Sequence, residues 1–134
     1  MTHNAQGRFK VTIAPLELSE IAQPSGLGRL SIDKRFEGPL AATSQGEMLS
    51  GMGSVKGSAG YVAMETVRGT LDGRRGSFML QHLGTMDRGT PSLSVTVVPD
   101  SGTDELAGLT GRMRIDITGG EHFYDFDYEL KTGG

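Results

Sequence analysis

The residues of this sequence best able to do chemistry are not in its loops. They stand at alternate positions within runs of apolar residues. Lys34 follows Leu30 and Ile32 at two-residue spacing and precedes Phe36; Glu65 lies between Tyr61 and Val67; His82 follows Phe78 and Leu80. His122 and Tyr124 lead into Phe126, Tyr128 and Leu130. If each run is a strand, period-two alternation puts these groups on the same face as their apolar neighbours. An unpaired buried charge is costly, so five such groups must pair with one another or line a wet cavity. Either outcome gives a polar centre inside an apolar enclosure, the make-up of a small-molecule site. Glu65 and His82 then become the candidate acid–base pair, because mutual perturbation shifts the pKa values of neighbouring ionisable groups. His122 and Tyr124 would orient the substrate, Lys34 would supply a counter-charge, and Tyr61 shares the face of Glu65.

Each residue also has a plainer reading. Lys34 can snorkel to a barrel mouth, Glu65 can pair with Lys34 or an arginine, and both histidines can be satisfied core or rim residues. Tyr124 and Tyr128 can be packing residues whose hydroxyls find a partner. Two histidines and a carboxylate match the ligand set of a zinc or non-haem iron site. No His-x-His spacing supports one, however, and His3 falls in the N-terminal stretch, so no metal is expected. Ser101 is flanked by turn formers and not by a Gly-x-Ser-x-Gly elbow. The glycines form no Walker or dinucleotide fingerprint, and no cofactor is expected.

The elements that must position these groups are strands. Phe9, Val11 and Ile13 alternate with Lys10 and Thr12 from Gly7 to a stop at Pro15. Residues 16–26 read as either a helical turn or a continued edge. Leu30, Ile32, Lys34 and Phe36 share one face of a second strand, and Gly38-Pro39 turns the chain into a third, residues 40–49, too small and polar for its faces to be assigned. The most informative hairpin runs from 61 to 71, through a turn at Asp72-Gly73-Arg74-Arg75-Gly76, to 77–86. With Leu71 opposite Gly76, Tyr61, Glu65, Val67 and Leu71 share a face with Phe78, Leu80, His82 and Met86, and Glu65 lies opposite His82. A slip of one residue would turn His82 out and bring Gln81 in, so Gln81 joins the candidate binding residues. Leu93, Val95 and Val97 alternate up to Pro99, and residues 105–109 read as a short helical turn. In the last hairpin Gly119-Gly120 makes a two-residue turn, setting Ile117 against His122 and Ile115 against Tyr124. About eight strands joined mostly by hairpins predict an all-β, closed antiparallel up-and-down barrel, allene oxide cyclase-like or lipocalin-like, with a two-sheet sandwich as the alternative.

A chain of 134 residues is long enough for one cored domain, here residues 7–131 between tails at 1–6 and 132–134. Cysteine is absent, which excludes disulfides and thiolate chemistry and fits a cytoplasmic protein. The net charge is −3 with both signs dispersed, so no nucleic-acid partner is expected. The start has no secretory apolar core, and no apolar run reaches the ~20 residues of a membrane helix.

The runs Gly60-Tyr61-Val62-Ala63-Met64-Glu65 and Gly76-Ser77-Phe78-Met79-Leu80-Gln81-His82 carry a family likeness. So do residues 98–111, Val-Pro-Asp-Ser-Gly-Thr-Asp-Glu-Leu-Ala-Gly-Leu-Thr-Gly, and residues 122–130. From Gly7 on, the chain resembles a bacterial family known as domain of unknown function 3224. The resemblance implies a barrel similar to plant allene oxide cyclase, an isomerase that folds a fatty-acid epoxide inside an apolar cavity. It carries over no catalytic residue, since a shared barrel does not confer a reaction. It does imply self-association, because such barrels are commonly oligomeric. The functional expectation is therefore a barrel that binds a small, largely apolar molecule, either as an isomerase or cyclase using Glu65 and His82 or as a non-catalytic carrier or sensor. A structural module with a filled interior is the third reading.

Overall fold

A computed structural model of the protein describes residues 2–131. Eight antiparallel strands form one closed barrel: β1 (His3–Leu16), β2 (Gly28–Glu37), β3 (Leu40–Met52), β4 (Ala59–Leu71), β5 (Arg74–Asp87), β6 (Thr90–Val97), β7 (Leu109–Thr118) and β8 (Glu121–Leu130). Each strand pairs with the next, and β8 closes onto β1. That closure overturns the expected N-terminal tail. Residues 3–9 pair with residues 122–128, and Ala5 is buried. Closing a barrel removes both sheet edges, and the backbone of a polar segment serves for that pairing as well as any other. Met1 and the expected tail at 132–134 lie outside the described residues.

The interior is packed at one end and open at the other. At the closed end Leu40, Leu71, Phe78 and Phe126 are almost wholly buried, each contributing roughly 1.5–3 kcal/mol by leaving water. A 3-10 turn at Asp104–Leu106 drives Leu106 into that end as a plug. At the other end Ile13, Leu93 and Ile117 have the parity of interior residues yet are 48%, 44% and 63% exposed. Ile13 stands beyond the last β1–β8 pair, Phe9↔His122, and for Leu93 and Ile117 the reason lies in the seam between β6 and β7. Among the described residues these strands share the single register pair Thr96↔Arg112, and none beyond it towards the mouth.

Two hairpins show how turn chemistry fixes register. Asp72 (φ 49°) and Gly73 (φ 82°) both have positive φ, so the β4–β5 turn has two residues where the sequence reading gave it five. Leu71 consequently opposes Arg74, not Gly76, and Glu65 opposes Leu80 while His82 opposes Ala63. A shift of two preserves face parity, so Glu65 and His82 both still point inward as diagonal neighbours. Met86, assigned to the same face, ends at the exposed rim. The Gly119-Gly120 turn pairs Ile117 with His122 and Ile115 with Tyr124, as expected.

The outer surface carries charge along its strands, with Arg8, Lys10, Asp33 and Arg35 all exposed. A lipid-facing barrel band is apolar at such positions. Among the described residues no helix is long and apolar enough to cross a membrane.

Candidate functional site

Four strands bring one charged cluster together inside the barrel. Lys34 of β2 donates from Nζ to Glu65 Oε2 at 2.8 Å, and Ser44 of β3 donates from Oγ to Glu65 Oε1 at 2.7 Å. His82 of β5 lies 2.6 Å from Glu65 Oε2 through Nε2. The Glu65 side chain is wholly enclosed, and Lys34 and His82 are nearly so. Burial pushes the Glu65 carboxyl up, but the His82 bond, the Lys34 charge and bond, and the Ser44 hydroxyl together outweigh it and hold the group at about 2. Glu65 is therefore an ionised acceptor, which requires the proton on Nε2 of His82. Lys34 is also sealed by aromatic faces, with Nζ 5.1 Å from the Phe9 centroid and 5.8 Å from that of Phe36.

The cluster reaches the open end through Tyr61. Its hydroxyl is 3.4 Å from His82 Nδ1, the nitrogen turned away from Glu65. The Tyr61 ring lies across Gly84, its register partner on β5; a Cβ there would come within 2.3 Å of the ring, so only glycine leaves room. Burial, with the Glu65 charge second, raises the phenol pKa and keeps Tyr61 protonated. Tyr61 also forms part of the wall of a cleft of about 340 Å³, together with Met48, Met86, Pro91 and Leu93. That volume suits a small ligand.

Other sequence-predicted residues go elsewhere. Gln81 follows the strand parity that turns His82 inward and so projects outward, into a groove on the outer face beside Met64 and Val62. His122 is half-buried against Phe9, ring centroids 5.2 Å apart, in a separate cleft edged by Arg8, Lys10, Glu37 and Glu121. Tyr124 is a structural peg: its hydroxyl donates to the Glu37 carbonyl at 2.7 Å and accepts from the Leu40 N–H at 3.1 Å. Its ring end crosses Gly7, where any Cβ would lie 2.5 Å from the hydroxyl oxygen. Ser44 escaped the sequence reading because the parity of β3 could not be fixed. Among the described residues no three histidine or acidic side chains converge as a metal group.

The family profile described as "Protein of unknown function (DUF3224)" matches residues 5–128. No curated protein matches the chain. A solved structure of a DUF3224-family protein of unknown function from Shewanella oneidensis MR-1 is 49% identical, superposes with a TM-score of 0.91, and is covered over 99% of this chain and 100% of its own. The chain therefore belongs to the DUF3224 family.

Proposed function

We propose that the protein binds a small, largely apolar molecule at the open end of its barrel, with Tyr61 and His82 at the inner end of the site. The observation that carries this reading is the cleft of about 340 Å³ whose apolar wall includes a tyrosine hydrogen-bonded into a buried charged cluster. A barrel that merely filled its interior would not leave Ile13, Leu93 and Ile117 uncovered at one end. The neutral fluorophore N-phenyl-1-naphthylamine tests it: saturable one-to-one binding is expected, lost in Leu93→Asp and kept in Gln81→Ala. Absence of saturable binding, or binding indifferent to Leu93→Asp, would refute it.

The carrier or sensor role is favoured over catalysis, because Glu65 is enclosed and held ionised. An isomerase or cyclase would have to work through His82, with Glu65 orienting the imidazole and Tyr61 relaying a proton between His82 Nδ1 and the ligand. Turnover separates the two roles: a ligand recovered unchanged and without deuterium after incubation in D2O supports the carrier.

A row of outward apolar residues supports self-association. Leu49, Val62 and Leu83 are register neighbours across β3, β4 and β5, each 42–60% exposed. A contiguous outer apolar row of this kind suits a second copy of the chain. The absence of cysteine and the charged outer surface support a cytoplasmic setting.

A further inference from the structure

We propose that Met86 is a modification site through which a peroxide controls the barrel mouth: an oxygen atom added to its thioether makes the cleft wall polar and releases the apolar molecule held there. This control rests on the binding reading above and supplies the regulation of that same site.

The chain holds seven methionines and no cysteine, so thioethers are its only sulfur groups. Met86 lies at the mouth end of β5 and is 42% exposed. Its register partners are Ala59 on β4 and Pro91 on β6, and all three stand in the cleft wall. Solvent therefore reaches a side chain on which an apolar ligand would also rest. Met48, the other methionine of the wall, is half-buried. Two further methionines separate exposure from position. Met64 matches Met86 at 44% exposed, but it faces outward on β4 beside Gln81, in the outer groove. Met52 is 82% exposed and lies outside the cleft wall. A peroxide in solution thus meets Met52 and Met64 at least as readily as Met86, and only the last is in contact with the cleft.

The step is an oxygen-atom transfer from hydrogen peroxide. A lone pair of Met86 Sδ attacks one peroxide oxygen, the S–O bond forms and the O–O bond breaks. The departing hydroxide takes the proton of the transferred oxygen and leaves as water, so sulfur is oxidised and peroxide reduced. The product is a polar sulfoxide in place of a flexible apolar group, and a sulfoxide reductase reverses it. No residue of the wall carries a charge, and Met48, Tyr61, Pro91 and Leu93 give it an apolar surface. An apolar ligand lying over the sulfoxide would strip water from its oxygen and offer no hydrogen bond in return, which costs roughly fivefold to a hundredfold in affinity. The same oxygen on Met64 stays in water on the outer face and costs the cleft nothing.

Titration of the full chain with N-phenyl-1-naphthylamine before and after limited hydrogen peroxide treatment tests this, with peptide mass spectrometry locating each added oxygen. Treatment stops once Met64 is oxidised. The unaltered protein and Met64→Leu are expected to lose about fivefold or more in affinity as oxygen appears on Met86. Both should recover it with methionine sulfoxide reductase and dithiothreitol. Met86→Leu, whatever its starting affinity, should show no loss on the same treatment. An equal loss in Met86→Leu, an unchanged affinity in protein carrying the Met86 sulfoxide, or a Met86 still unoxidised at that point would overturn the proposal and leave the binding reading standing. Absence of binding before treatment would overturn both. The unaltered protein and Met64→Leu suffice to refute it, so the question is decided even if Met86→Leu folds poorly.

Discussion

Replacing Glu65 with glutamine would strip the buried cluster of its only anion while changing almost no volume. Lys34, 6% exposed, would keep its ammonium beneath Phe9 and Phe36 with no counter-charge. Breaking a buried pair from one side costs roughly 3–5 kcal/mol, chiefly through the charge left behind. Proton linkage gives an independent figure. The Glu65 carboxyl is held at about 2 against an ordinary 4.5, and that fall corresponds to about 3 kcal/mol. Because the folded-state pKa is depressed, this stabilisation is fully present above the unfolded pKa. It is lost as pH falls from about 4.5 to about 2. The assay is urea unfolding of both proteins at pH 7, 5, 4 and 3. The other carboxylates are common to the two and cancel in the difference. The expected result is a gap of about 3–5 kcal/mol at pH 7 that narrows steadily below pH 4.5. A gap under about 1 kcal/mol at pH 7, or one that stays constant to pH 3, would show that Glu65 is not the ionised hub described here.

Tyr124→Phe should cost about 1–3 kcal/mol in urea unfolding, because the Leu40 N–H and the Glu37 carbonyl lose the hydroxyl that satisfies them. It should leave N-phenyl-1-naphthylamine affinity unchanged, and a loss of affinity in a folded variant would return Tyr124 to the site. Leu83→Glu should convert a self-associated species into a monomer in sedimentation velocity with little change in stability, since Leu83 is 60% exposed. A monomeric unaltered protein would refute the self-association reading.

Much of the fold was legible in the sequence because a strand half-buried in a barrel must alternate. Lys34, Glu65 and His82 were placed inward by parity alone, and parity survives a register error of two, as the β4–β5 hairpin shows. What failed was register: the β4–β5 hairpin closes with two turn residues in place of the five read from the sequence, and the faces of β3 could not be assigned at all. At the β2–β3 connection Gly38 adopts φ 104°, and Phe36 pairs with Ala42. A tight two-residue turn would have paired Phe36 with Ala41 and sent Thr43, not Ser44, inward. One residue of turn geometry therefore decided whether Glu65 has its Ser44 partner. The first four residues of β1 were missed for a different reason: residues 3–6 carry too little apolar pattern to announce a strand, and only barrel closure calls on their backbone.

Composition and alternation by themselves determined that the chain is all-β and that ionisable groups share the buried faces of its strands, because a half-buried strand alternates. The choice of closed barrel over sandwich was made by the pairing of β8 with β1. Which of those groups meet was decided in three dimensions. Barrel curvature set Lys34, Ser44, Glu65 and His82 from four strands within hydrogen-bond reach, while His122 and Tyr124, with the same inward parity, fell at other positions around the wall. The open end is likewise a tertiary property. Ile13 and Ile117 read as core residues in the chain, and they are uncovered because β1 outruns its pairing with β8 and because β6 and β7 share no pairing near the mouth.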